Sequence, residues 1–166
     1  MTTFSDKLFE FNQWANLAII DICMTLDEKQ LEVEVEGVYG RIRPTIIHIV
    51  RAEGAYVQDV GFNAPWSAEP DWNTITIAEL RDVAELTGQA LREVARTIDP
   101  NAQREFTARG KLHQFPAWTP LNQALNHGVE HRTQLRVLLT KLGVPHANHH
   151  VWEFSRAIGT MSVTPN

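Results

Sequence analysis

The stretch T-P-L-N-Q-A-L-N-H-G-V-E-H-R-T-Q-L-R-V-L-L-T-K-L-G, Thr119 to Gly143, reads as one helix and little else. Leu121, Leu125, Leu135, Leu139 and Leu142 fall on one side of a 3.6-residue helix. Thr119 reads as its N-cap with Pro120 at the first helical position, and Gly143 followed by Pro145 stops it. A helix apolar along one stripe must bury that stripe against other elements, which already points to a layered helical protein. His127 and His131 stand four residues apart in this helix, so both imidazoles leave it in the same direction, one turn apart. They sit on a flank of the stripe, beside Leu138, where neutral imidazoles can share one metal ion between helices. Seven histidines in 166 residues produce roughly 0.3 such pairs by chance, so spacing alone does not make a site. Two histidines hydrogen-bonded locally at a helix edge is the competing reading. A third ligand from another segment would separate the two.

Three further segments carry helical stripes. The first runs from about Phe4 to Leu26, capped by Thr3 with Asp6 in the first turn, and offers Phe4, Leu8, Phe11, Ala15, Ala18, Ile19 and Ile22 as its core face. The second covers about Arg41 to Val60, with Ile42, Ile46, Ile49, Val50, Tyr56, Val57 and Val60 in its stripe and Pro44 confined to the first turn. The third opens on a capping box, Thr76 and Glu79, with Ile75 and Leu80 as a hydrophobic staple, and ends at Asp99-Pro100. Asp27 to Gly40 and Gly61 to Thr74 read as connectors. R-E-F-T-A-R-G-K-L-H-Q-F-P, between Asn101 and Trp118, reads as a short hairpin turning near Gly110, with His113 exposed. The segment P-H-A-N-H-H-V-W-E-F after the last helix has no assigned role. The sum is an all-α four-helix bundle over residues 1–166, with connectors long enough for a crossover connection.

Charge narrows the function classes. Fifteen basic and twenty acidic residues give a net charge of −5 with no basic cluster, which argues against a nucleic-acid partner. The start lacks signal architecture and no apolar run approaches 18 residues, so a cytoplasmic chain without a membrane partner is expected. Cys23 is alone and within an apolar helical pattern, which suits a buried, inert thiol.

Two residues of the second helix stand out. His48 lies about 120° from Ile42, off the main stripe, with Ala52 and Ala55 as small neighbours that leave room beside it. Taken alone, such a histidine is more often structural than a ligand. Glu53 falls near the middle of the apolar stripe, and a buried carboxylate needs a partner. Arg132, equally central on the last helix, is the candidate.

F-N-Q-W-A-N (Phe11 to Asn16), G-R-I-R-P-T-I-I-H-I-V-R-A-E (Gly40 to Glu53) and N-H-G-V-E-H-R-T-Q-L (Asn126 to Leu135) together resemble the DinB/YfiT-like superfamily of metal-binding four-helix bundles. The resemblance covers most of the chain in order. It implies a metal site made by a histidine of the second helix and two of the last, which fall here on His48, His127 and His131. It also implies a bundle with one crossover connection, and a homodimer. Two departures are visible: Thr133 stands where relatives often have glycine, and Asn148 and His149 stand where many carry an acid.

Three neutral histidines that leave a position open suit a catalytic divalent ion, zinc or nickel. Some relatives use a low-molecular-weight thiol, so a metal- and thiol-dependent S-transferase acting on a small-molecule substrate is one expectation. Its substrate pocket is expected at the bundle end, near Trp14, Tyr56, Trp66 and Trp72. A metal-dependent hydrolase is the alternative, with Glu53 or Glu130 as conceivable bases. A non-catalytic, stress-related metal-binding bundle is the third, and a fourth protein ligand such as His149 or His150 would favour it.

Overall fold

Capping chemistry starts most of the helices. The Thr3 hydroxyl accepts the Asp6 backbone N–H at 3.1 Å and opens α1 (Phe4–Cys23). Asp27 and Gln30 form a capping box on the one-turn α2 (Glu28–Leu31), a helix inside a segment that reads as a plain connector. α3 spans Ile42–Asp59, and α4 (Ile77–Thr97) begins with the expected Thr76–Glu79 box. An antiparallel hairpin follows, β1 (Gln103–Ala108) with β2 (Lys111–Pro116). Arg109 and Gly110 both take positive φ between the paired Ala108 and Lys111, the two-residue turn that suits the twist of a hairpin. α5 (Trp118–Lys141) and the short α6 (Val151–Ala157) complete the chain. The computed structural model describes residues 3–162 and 164.

α5 does not start as the sequence suggests. Thr119 lies inside its first turn, and Ala117 occupies the cap position with no side-chain bond. The backbone N–H groups of Ala117 and Trp118 donate to the carbonyls of Ala102 and Pro100, both at 2.9 Å. The segment before the hairpin thus satisfies donors that a cap would otherwise serve. α6 has a cap that sequence reasoning passed over: the Glu153 backbone N–H donates to His150 Nδ1.

Side-by-side packing places α1 against α4 and α5, and α3 against α4 and α5. The core divides into two apolar clusters. One holds Ile19, Ile46, Val50, Leu80 and Leu135; the other holds Phe9, Val57, Leu91, Val94 and Ala124. α3 and α4 both run from the first cluster to the second, so residues 60–76 return the chain along the bundle, which is the expected crossover. Trp66 from this connection lies over Gly54, where an added Cβ would sit 2.1 Å from the indole. No helix among the described residues is long and apolar enough to cross a membrane.

The buried face of α1 is rotated from the expected one. Phe9, Asn12, Ala15, Asn16, Ile19, Ile20 and Cys23 are buried, whereas Phe4 is 81% exposed. The reason is polar: Asn12 and Asn16 point inward because partners wait for them between the two apolar clusters. Asn12 and Asn16 each donate Nδ2 to Glu53 Oε1, at 2.7 and 2.9 Å. Each accepts, on Oδ1, from Arg132 Nη1, at 2.8 and 2.6 Å. Glu53 and Arg132 are buried as expected, yet no direct ion pair joins them. Two asparagines carry the link. Burial pushes the Glu53 carboxyl up, while the two amides and the Arg132 charge pull it back. Burial draws the Arg132 guanidinium down to about 10, so it stays protonated at neutral pH. Cys23 is buried and its thiol is pushed up to about 12 by desolvation, which leaves it inert.

Candidate metal centre

α3 and α5 pack antiparallel at the level of this polar layer, and their flanks bring three imidazoles together. One ring nitrogen from each of His48, His127 and His131 lies within 4.8 Å of the other two. The His127 and His48 Nε2 atoms are 2.9 Å apart. His127 and His131 are buried and His48 is half-buried. Among the described residues no other histidine, cysteine or carboxylate joins the group.

Burial favours the neutral form, which ligation needs, at His48 and His127. Burial, then the neighbouring His131 and His48, hold His127 down at about 4. Burial and His131 lower His48 as well. His131 Nδ1 donates to Gln134 Oε1 at 2.7 Å, which fixes the tautomer and leaves the Nε2 lone pair free to face the cluster. Gln134 sits one turn beyond His131, a spacing that could have marked it in the sequence. His127 Nδ1 is buried without a partner, an unmet polar atom beside the centre.

Two tyrosines close the cluster. Tyr39 stacks on His48 with ring centroids 4.4 Å apart and meets His131 edge-on at 4.8 Å. It comes from the connector before α3, where the only sequence signal was an aromatic flanked by glycines, Gly37 and Gly40. Tyr56, one turn past Ala52 on α3, meets His127 edge-on at 5.9 Å. Beside Tyr56 a cavity of about 380 Å³ is lined by Phe106, His113 and Phe115 of the hairpin and by Thr119 and Gln123 of α5. Thr119 and Gln123 precede His127 on the same i, i+4 row, so this cavity adjoins the histidine face of the helix.

The tryptophans expected to line the pocket lie elsewhere. Trp14 packs on Phe11, His149 and Phe154. Trp66 and Trp72 meet each other edge-on and both donate to Glu69. Thr133 is exposed and its hydroxyl donates to the Val129 carbonyl, so its bulk is directed away from the histidines. His149 is held against Trp14 and is no fourth member of the cluster, and His150 caps α6. His113 is exposed on β2, stacked on Phe106.

Fold and centre define a class: a four-helix bundle that gathers three imidazoles from two facing helices at one point able to hold a metal ion. The chain belongs to the DinB family, whose profile matches residues 1–158. It is similar to Protein DinB of Bacillus subtilis (strain 168), 25% identical over 158 residues that span 86% of this chain and 88% of the relative.

Proposed function

We propose that the chain binds one divalent ion through His48, His127 and His131, zinc or nickel, and uses it to join an intact low-molecular-weight thiol to a small electrophile, the thiol losing its proton to solvent as its sulfur forms the new bond. The observation that carries the first half is the convergence of three ring nitrogens, with His127 held unprotonated by burial and the His131 tautomer set by Gln134. A bound divalent cation supplies a Lewis acid that lowers the pKa of a coordinated thiol or water. The residues around it do the rest. Tyr39 and Tyr56 limit water at the centre, and the cavity beside Tyr56 offers Phe106 and Phe115 to the apolar part of an electrophile. Cytoplasmic location, expected from the sequence, and a homodimer, implied by the family resemblance, belong to the same proposal.

Cobalt-loaded protein tests the chemical half. A thiol from a panel of glutathione, cysteine, bacillithiol and mycothiol is expected to change the cobalt spectrum and to drive turnover of a generic electrophile above the uncatalysed rate. Turnover should vanish in His127→Ala and persist in Cys23→Ala, since the nucleophile is the added thiol. A panel that moves neither the spectrum nor the rate ends the thiol reading. Hydrolysis is the second reading, and Asp59 favours it over Glu53 or Glu130. Asp59 lines the same cavity, and burial raises its carboxyl toward the range of a base. Glu53 is occupied by two asparagines, and Glu130 faces solvent.

A further inference from the structure

A second cavity, of about 280 Å³, lies on the other side of α5. Val129, Arg132 and Arg136 leave the helix roughly 165° away from His127, His131 and Gln134, so the two sites are separated by the helix itself. Phe11, Val129 and Val151 supply an apolar lining, and no acidic residue lines the cavity. Two guanidinium groups face it. Arg132 spends Nη1 on Asn12 and Asn16, and its other nitrogens have no partner among the described residues. Arg136 donates from Nη2 to the Thr133 hydroxyl at 3.1 Å and makes no ion pair among the described residues. His149 completes the wall, its ring edge-on to Trp14 and its Nδ1 buried without a partner. The cavity is therefore a cationic recess with an apolar wall and donors left over.

We propose that this recess binds a small monocarboxylate with an apolar body, its carboxylate held by Arg136 and the unengaged edge of Arg132, its body against Phe11, Val129 and Val151. The single negative charge follows from the electrostatics. The charge of Arg132 is already answered by Glu53 through the asparagines, which leaves Arg136 as the unanswered cation of the cavity. A planar guanidinium matches a carboxylate in a two-point fork, and a cavity of this size takes a small molecule. His149 reports the same field: after burial, Arg136, His146 and Arg132 press its pKa down. The histidine-rich segment after α5 thereby gains a role, as one wall of a ligand site on the face opposite the metal centre.

Titration of the full, metal-loaded chain with benzoate and with hexanoate, followed in ¹H–¹⁵N spectra, tests this. Saturable binding is expected, with shifts at the Arg136 side chain and at the amides of His149 and Val151. Arg136→Gln should weaken it at least about ten-fold, the scale of a lost charge-assisted bond. Val129→Glu, at an exposed rim position, should weaken it as well, and acetate should bind more weakly than hexanoate. Binding should survive in His48→Ala, which removes a ligand of the other site. No saturable binding, or unchanged affinity in both Arg136→Gln and Val129→Glu, overturns the proposal. Loss of binding in His48→Ala alone, or inorganic phosphate binding more tightly than either carboxylate, overturns it too.

Discussion

Replacing Arg132 with methionine is expected to cost the fold about 3–5 kcal/mol, the range for removing one member of a buried charged network. Methionine replaces the side chain only as far as its ε position, so the loss combines a stranded carboxylate with the buried space that the guanidinium vacates. Arg132 Nη1 holds the carbonyl oxygens of both Asn12 and Asn16, and those amides hold Glu53. Without the guanidinium, a fully buried carboxylate keeps only two neutral donors, and two buried carbonyl oxygens lose theirs. Glu53 Oε2 already lacks a partner, so the site has no reserve donor. Gly128 belongs to the same layer, since an added Cβ would come within 2.6 Å of both Arg132 Nη1 and Asn12 Oδ1. Denaturant melts check the cost. A loss within about 0.5 kcal/mol of wild type would place Arg132 among ordinary surface substitutions and refute the network. The double variant Glu53→Leu, Arg132→Met should lose less than the two single changes added together, because neither charge is then stranded.

This layer also marks where the sequence stopped being legible. The periodicity of apolar residues is a local property, and it located four long helices and a hairpin turning at Gly110. The capping box at Thr76 is local as well and reads directly. What periodicity could not show is a polar residue that belongs inside. Asn12 and Asn16 lie four residues apart on one face of α1, but their inward orientation depends on Glu53 and Arg132 from α3 and α5. The predicted Glu53–Arg132 link was therefore right about burial and wrong about contact. The start of α5 fails for a similar reason: the donors at its first turn are met by Ala102 and Pro100, which no reading of α5 alone reveals. At the centre, the i, i+4 pair His127 and His131 was visible, whereas Tyr39 reaches the histidines only through the course of a connector. His48 was nominated by family resemblance, and the packing of α3 on α5 brings it to the pair.

Metal affinity should fall steeply in His127→Ala, by more than the roughly 10–100-fold that loss of an outer partner costs a metal site. Wild type is expected to hold about one divalent ion per chain after gentle purification, read by elemental analysis. Of the three imidazoles, His127 is the most telling to remove. Its Nε2 is the atom nearest to His48, its Nδ1 is buried with no other task, and burial keeps it neutral. Alanine there leaves two donors on different helices, and the remaining pair has lost the i, i+4 partner that fixes its direction. Gln134→Ala should fall between His127→Ala and wild type. It leaves every nitrogen in place and removes only the acceptor that holds His131 Nδ1–H, freeing the ring to turn and to change tautomer. His113→Ala should change nothing, since that ring stacks on Phe106 in the exposed hairpin and is outside the cluster. The order His127, Gln134, His113 is what a centre between α3 and α5 requires. A surface site among the other histidines would be indifferent to Gln134. Full occupancy in the double variant His48→Ala, His127→Ala would move the ion elsewhere and remove the assignment.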